Sequence, residues 1–466
     1  MMQRNLKTRL YGALALAAGL ALRLWFISHA ARIDGDTLLY GSIAKNWMQH
    51  GVYGFAQSAS GPIPTLIRLP GYPLFLMICF RVFGVENYTA VMYVQCAIDL
   101  VTCLLIGALT RRLFGHWAAM AALWLSALCP FTAAYTAAPL TEVLTLFCIA
   151  LAFYSLDCWR GAGAGFSRWL WVGAITMAYS VLLRPEQGLL AASVIPAMLW
   201  IVWRQDEPRG LTRKGLPVAV AALLVLFPLL PWTVRNWHTF HVVQPLAPRT
   251  ATDPGELIPT GFQHWYRTWA IDFASTEEVY WNYDSAPIWI GDLPARAFDS
   301  DDQFNRTAAV LSQYNKNYNA TPALEKSFEA LAQERIHENS LRYYVALPAA
   351  RLLNMLFRPR AEMLEVPLEW WRWRQHPELT LLSAGLAAVN LAYFVLGYVG
   401  LVRWWRNGWK PSSAVAMAMV GFVVLRCALL LTLDNSEPRY TLEFFPLLFV
   451  WGSFLWSDIS IRQKTL

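Results

Sequence analysis

The 466-residue chain is poor in the features that would make it a soluble enzyme, a disulfide scaffold or a nucleic-acid binder. Charged residues make up only 15% of it, too few to solvate a globular surface of this size, and hydrophobic residues reach 56%. Cysteine is scarce. The seven, at 79, 96, 103, 129, 148, 158 and 427, all fall in or beside apolar runs, which argues against a disulfide framework. No CxxC pair or His/Cys cluster signals a structural zinc site or a redox motif. No Lys/Arg-rich run accompanies the net charge of +7, so that charge suits loops facing anionic lipid and gives no support to a nucleic-acid partner. No internal repeat of the inverted kind typical of transporters is present. A basic N-terminus precedes an apolar run, but no small-residue cleavage site follows before Asp34, so the segment is expected to stay as an anchor.

What the chain does have is long apolar runs and aromatics. Its 23 tryptophans and 19 tyrosines fit interfacial belts, where a ring keeps its polar tip wet. Mean hydropathy is positive, +0.34. These values specify an all-α polytopic membrane protein with membrane lipid as its solvent. Runs long enough to cross about 30 Å of hydrocarbon lie near 10–30, 90–110, 116–134, 139–158, 168–184, 188–203, 216–233, 379–402, 411–432 and 441–458, which predicts ten spans. The shorter run Tyr72–Phe83 carries Arg81. If it does not cross, Arg4/Lys7/Arg9, Arg111/Arg112, Arg160/Arg168, Arg204/Arg209/Arg213/Lys214, Arg403/Arg406/Lys410 and Arg462/Lys464 share one side. By the positive-inside rule that side is cytoplasmic, with both termini, and 72–83 becomes an interfacial or re-entrant segment.

The same parity sends Asp34–Pro73, the connection before Glu142, Arg184–Gln187, the polar stretch from Arg235 to Glu378 and Asp434–Arg439 to the extracytoplasmic face. Three regions follow: an N-terminal transmembrane module 1–234 with a first outer loop 31–89, an extracytoplasmic α-rich or mixed domain 235–378, and C-terminal helices 379–466. The outer stretch is too long for an ordinary loop.

In the first outer loop Tyr40, Ile43, Ala44 and Trp47 recur at i, i+3, i+4 and i+7, the pattern of a helix lying along the membrane surface. Asp34 and Asp36 open it. A carboxylate there could act as a general base toward an acceptor hydroxyl, or simply cap the helix. Glu142, in APLTEVLT, could serve the same site or be an ordinary first-turn acid facing the positive end of its helix. Arg68, Arg184, Arg235, Arg351 and Arg439 lie on the face where positive-inside sorting does not favour them. Guanidinium forks suit a phosphate leaving group, but snorkelling to headgroups or pairing within the fold is the alternative for each. Asp99, one turn after Gln95 in a span, reads as an interhelical tie or an intramembrane site. Trp265 to Trp289 could stack on sugars or form a core. Asn87, Asn305 and Asn319 begin N-x-Thr sequons.

A resemblance now enters. Asp36 followed by Tyr40, Ile43 and Ala44, then Gly51 and RLPGYPLFLMICFRVFG, resembles the opening of bacterial GT-C glycosyltransferases of family 39 in the broad sense, related to protein O-mannosyltransferases and the lipid A aminoarabinose transferase. LLRPEQG at 182–188, PWTVRN at 231–236, the helix 332–357 and EPRYTLEFFP at 437–446 look like further landmarks in family order. The resemblance implies a GT-C membrane enzyme with interfacial helices in its first outer loop. It would move a sugar from a polyprenyl-phosphate donor, with inversion, to an extracytoplasmic lipid, glycan or protein acceptor. It implies Asp36 as catalytic base and Glu142 as second acid. Arg68, Arg235, Arg439, Arg351 and Arg184 would lie near the donor phosphate, and Tyr40, Tyr72, Glu437 and Tyr440 would contact substrate. Many relatives carry Asp-Glu where this chain has Asp36-Thr37, which leaves a divalent metal open. The competing class is a transporter or flippase of lipid-linked sugars.

Overall fold

In the computed structural model, which describes residues 2–58, 61–204 and 211–457, the chain is mostly helical. Arg209, Arg462 and Lys464 of the basic clusters lie outside the described residues, as do the side chains of Arg4, Lys7, Arg213 and Lys214. The chain divides into two compact units. One comprises 1–253, 391–425 and 442–466; the other comprises 254–390 and 426–441.

The first unit opens with α1 (Met2–His29), then α2 (Gly35–His50), a hairpin of β1 (Gly54–Ser58) and β2 (Gly61–Pro64), and α3 (Gly71–Phe83). The hairpin strands pair antiparallel, Phe55 opposite Ile63. There follow α4 (Tyr88–Phe114), α5 (His116–Ala127), α6 (Pro130–Ala134), α7 (Glu142–Gly161), α8 (Arg168–Leu183), α9 (Gly188–Trp203), α10 (Leu211–Leu226) and α11 (Leu229–Phe240).

Seven helices among the described residues are long and apolar enough to cross a membrane, and eight if the bent pair α5 and α6 is one span. That is fewer intact spans than the ten expected. The run near 116–134 is broken by a 47° bend, because Pro130 has no N–H to continue the hydrogen-bond ladder. The run near 168–184 becomes the 16-residue α8, about 24 Å long at 1.5 Å per residue and short of a 30 Å core. The run near 441–458 is split into a 3-10 stretch Pro438–Phe444, a nine-residue helix and a second 3-10 turn Phe454–Trp456. The 13-residue α3 is likewise below spanning length. The chain is a multi-pass membrane protein whose bundle contains broken and short apolar helices as well as full spans.

Within the bundle a buried ion pair ties three helices. Arg23 Nε donates to Asp99 Oδ2 at 2.7 Å, and both side chains are almost wholly buried (0% and 3% exposed). Arg23 Nη1 also donates to Gly19 O and to Ala127 O, each at 2.8 Å. The second bond satisfies a carbonyl left at the α5–α6 break. Gly19 makes this approach close, since a Cβ there would lie 3.0 Å from Ala127 O. Asp99 is thus a structural partner of Arg23, while Gln95 pairs elsewhere.

The second unit contains α12 (Thr260–Arg267), α13 (Phe273–Ser275), α14 (Asp301–Tyr314), α15 (Pro322–Glu338) and α16 (Leu347–Phe357). Its core gathers Phe262, Trp265, Tyr266, Trp269, Tyr283, Tyr314 and Phe328. Phe262 and Tyr283 stack with ring centroids 3.8 Å apart. The tryptophan-rich stretch therefore divides: Trp265 and Trp269 are core, and Trp281 and Trp289 stay exposed. The long helix α17 (Pro377–Arg406) and α18 (Ser413–Leu430) precede α19 (Phe445–Ser453).

Candidate active site

The helix predicted from Tyr40, Ile43, Ala44 and Trp47 is α2, and it packs into the protein on two sides. One side buries Tyr40 and Ala44 with Tyr72, Leu76, Tyr88 and Leu144. The other packs Ile43 with Tyr53, Leu66, Leu69 and Trp232. The cap expectation fails. Asp34, in extended conformation, is the N-cap and contributes only its carbonyl, which accepts from Thr37 N at 2.9 Å. Asp36 sits inside the first turn, and Arg68 Nη2 donates to its Oδ1 at 2.9 Å. Both side chains keep about a quarter of their surface open, 27% for Asp36 and 24% for Arg68. The pair is thus held yet accessible to a ligand.

Arg68 is placed by a set of bonds that anchor the segment 65–68. Tyr53 Oη donates to Arg68 O at 3.0 Å. Asp253 accepts from Thr65 Oγ1 at 2.7 Å and from Leu66 N at 2.8 Å. Arg235 donates to Thr65 O and Tyr53 O, each at 2.8 Å, and its guanidinium lies 5.2–5.3 Å from the ring centroids of Tyr53, Trp232 and Phe240. Arg235 is therefore engaged in holding the loop that carries Arg68. Tyr53 and Asp253 escaped the sequence reading. Each is an isolated polar residue whose partners lie far along the chain, and only the hydrogen bonds reveal them.

Tyr40 is the centre about which the other candidates gather. Arg68 stacks over its ring at 5.9 Å, and Tyr72 meets it edge-on at 5.1 Å. Burial pushes its hydroxyl up to about 12, the charges of Arg68 and Arg184 opposing the shift and those of Asp36 and Glu142 adding to it. All four charged groups thus act on one phenol. Tyr72 is fully buried. Its hydroxyl donates to Gln95 Oε1 at 2.7 Å, and Gln95 Nε2 donates to Ala138 O at 2.8 Å. Burial raises Tyr72 well above the usual phenol range, with Glu142 next in effect. The glycine before it has a steric reason: a Cβ at Gly71 would lie 2.5 Å from the backbone carbon of Leu182 in α8.

Glu142 heads α7 as a first-turn acid and is buried at 3% exposure. Arg184 Nη1 bonds to its Oε1 at 3.3 Å, while Arg184 Nε bonds Glu186 at 2.7 Å. The first unit thus brings together Asp36, Arg68, Tyr40, Tyr72, Glu142 and Arg184, with Arg235 one step behind.

The remaining candidates belong to the second unit. Glu437 is buried and accepts from Tyr440 Oη and Asn435 Nδ2, each at 2.8 Å, and from Arg439 Nε. Arg360 fixes this segment by donating to Pro438 O at 2.8 Å and to Thr441 Oγ1. Arg351 is buried and donates through Nη1 to Ala270 O at 3.0 Å and Arg267 O at 3.2 Å. Burial lowers its guanidinium to about 10, with the like charge of Arg267 adding to the effect. No group of three or more His, Cys, Asp or Glu that could hold a metal occurs among the described residues.

Residues 64–234, somewhat more than a third of the chain, match the family model for dolichyl-phosphate-mannose-protein mannosyltransferase. That segment includes Arg68, Tyr72, Glu142 and Arg184. No curated protein matches the chain. Among solved structures, the chain is similar to the archaeal oligosaccharyltransferase AglB from Archaeoglobus fulgidus in complex with an inhibitory peptide and a dolichol-phosphate. The two are 13% identical with a TM-score of 0.52, and the match covers 99% of this chain and 51% of that one. An Archaeoglobus fulgidus oligosaccharyltransferase tethered to an acceptor peptide gives 14% identity and a TM-score of 0.53 over 98% of this chain and 50% of that one. ArnT from Cupriavidus metallidurans bound to undecaprenyl phosphate gives 14% identity and a TM-score of 0.38 over 95% and 77%. The chain thus spans about half the length of the oligosaccharyltransferase it matches. It is a membrane protein of the GT-C fold whose segment 64–234 matches the dolichyl-phosphate-mannose-protein mannosyltransferase family.

Proposed function

We propose that this protein is an inverting glycosyltransferase that takes a sugar from a polyprenyl-phosphate donor and transfers it to an extracytoplasmic lipid, glycan or protein acceptor. The observation that carries the reading is the Asp36–Arg68 pair, about a quarter open and bonded at 2.9 Å at the head of α2. A base and a phosphate-binding group stand side by side there, where an acceptor and a donor phosphate must meet. The matched family segment and the dolichol-phosphate bound by the similar archaeal enzyme support the same donor class.

In this mechanism Asp36 Oδ1 takes the proton of the acceptor hydroxyl or amine as its oxygen or nitrogen attacks the anomeric carbon. The bond from that carbon to the phosphate oxygen breaks on the opposite face, and the polyprenyl phosphate leaves with the electron pair. Arg68 exchanges part of its contact with Asp36 for the departing phosphate, so that binding the donor also frees the base. Arg184, poised between Glu142 and Glu186, adds positive potential to the same site. Glu142 orients Arg184. Tyr40 is assigned to substrate contact with Tyr72 packed edge-on behind it; Arg235, through Thr65 and Tyr53, keeps Arg68 in place. Within the second unit, Arg351 is held on backbone carbonyls, and Arg439 and Tyr440 are held on Glu437. No step is routed through a metal.

The site is assigned to the extracytoplasmic face of the plasma membrane with both termini cytoplasmic, on the charge asymmetry of the loops. Residues 1–234, 235–378 and 379–466 are assigned as catalytic membrane module, outer domain and C-terminal helices. Purified Asp36→Asn protein in proteoliposomes, given a polyprenyl-phosphate sugar and envelope acceptors, should lose about 10²- to 10⁴-fold in transfer rate, the usual range for a general base. Undiminished transfer by folded protein would sink the role of Asp36. Translocation of labelled donor without any glycoside formed would favour a flippase.

A further inference from the structure

We propose that the turn Trp370–Arg374, immediately before α17, binds the phosphate headgroup of an anionic phospholipid. The sequence there is EWWRWRQHPEL, two arginines interleaved with three tryptophans. Trp371 and Trp373 are 55% and 53% exposed, a costly display of apolar ring in water but a favourable one at a membrane interface, where indole sits preferentially. Arg372 and Arg374 are exposed beside them.

The depth of the turn is fixed by bonds to the helix that follows. Thr380 Oγ1, in the first turn of α17, donates to Trp370 O at 2.7 Å, and Gln375 N and His376 N both donate to Arg372 O. The turn therefore folds back against the helix start and moves with it. In α17 the outward-facing apolar side chains begin at Leu381, 61% exposed, which marks the edge of the hydrocarbon. From Pro377 to Leu381 the helix rises about 6 Å, and a headgroup layer is about 5–8 Å thick per leaflet. The guanidinium groups of Arg372 and Arg374 thus fall at the level of the lipid phosphates. Arg372 keeps Glu369 on one side of its fork, Nη2 to Oε1 at 2.7 Å, which orients the fork and leaves its other donors for a phosphate oxygen. Tryptophans on either side provide apolar surface for the upper part of an acyl chain.

The test uses the full-length protein in bilayer nanodiscs with phosphatidylcholine and a minor fraction of phosphatidylglycerol, followed by native mass spectrometry of the retained lipids. Wild-type protein should retain phosphatidylglycerol well above its bulk share. Arg372→Gln/Arg374→Gln should lower that enrichment by about fivefold per arginine, the usual strength of one basic residue against an anionic surface. Arg372→Lys/Arg374→Lys should keep most of it. Inorganic phosphate at millimolar concentration should not displace the lipid. Equal enrichment in wild type and the Gln variant, both eluting as folded monodisperse protein, overturns the proposal. Displacement by inorganic phosphate alone overturns the lipid as occupant.

Discussion

Replacing Asp99 by Leu should destabilise the protein more than replacing Arg23 by Met, and the double replacement should recover much of the loss. Arg23 is fully buried and bonded to Asp99 at 2.7 Å. Removing the carboxylate leaves a guanidinium that cannot shed its proton, and breaking a buried pair in this way costs about 3–5 kcal/mol. Removing the arginine leaves a carboxyl that can neutralise by taking a proton, so the loss should be smaller. It still includes the bond to Ala127 O, and a hydrogen bond from a charged donor is worth about 1.5–3 kcal/mol. With both groups apolar the desolvation penalty of two ions disappears, and such exchanges are often neutral or stabilising. The coupling between the two sites should therefore reach about 2 kcal/mol or more. Equilibrium unfolding in mixed micelles, followed by tryptophan emission for wild type, both single variants and the double, measures it. Effects that add to within about 0.5 kcal/mol would refute the argument, because contacting residues would then behave as independent sites.

Gly71→Ala should disturb the first loop without touching a charged group. Its Cβ would meet the α8 backbone at 2.5 Å, a collision that costs about 1–3 kcal/mol by overpacking; a lowered midpoint of thermal unfolding checks it. The outer unit should loosen in acid. Two hydrogen bonds from Arg342 and the charge of Arg335 hold the Asp299 carboxyl below its usual range. Its contribution is therefore complete above the ordinary carboxylate pKa and is lost as pH falls through the lower, folded value. Limited proteolysis of 254–390 against pH should show cleavage rising below about pH 4. Asp299→Asn should be cleaved faster at neutral pH and converge with wild type in acid.

Periodicity revealed faces, and long-range partners decided what those faces do. The i, i+3, i+4 and i+7 pattern located α2 but read it as a helix lying along the membrane surface, whereas Tyr40 and Ala44 pack inward against α3, α4 and α7. It could not say that Asp36 would pair with an arginine 32 residues on, because nothing local encodes that approach. The cap expectation for Asp36 was reasonable on local grounds. It failed because Gly35, at φ +44°, starts the helix one residue earlier and hands the cap position to Asp34. Gln95 and Asp99 share one helix face, as their spacing implies, yet they serve different neighbours: Tyr72 in α3 and Arg23 in α1. The count of ten spans rested on run length and hydropathy, which do not register that Pro130 interrupts one run or that Pro438 begins a 3-10 stretch in another.

The arginines show the same division between composition and geometry. Five were singled out because they sit where sorting by charge disfavours them, and the structure gives them distinct tasks. Arg68 holds a carboxylate that is about a quarter exposed, while Arg184 is divided between two acids. Arg235 has its fork on two backbone carbonyls and its face against three rings, an arrangement that a lysine could not reproduce. A charged group so fully engaged acts through what it holds. What it holds is the Thr65–Arg68 segment, also pinned by Asp253 and Tyr53. The first loop is thus pinned around Arg68, while the Asp36–Arg68 pair itself stays about a quarter open on both side chains. That arrangement suits the proposed roles, in which the group meant to receive the phosphate is held from behind beside the carboxylate meant to take the proton.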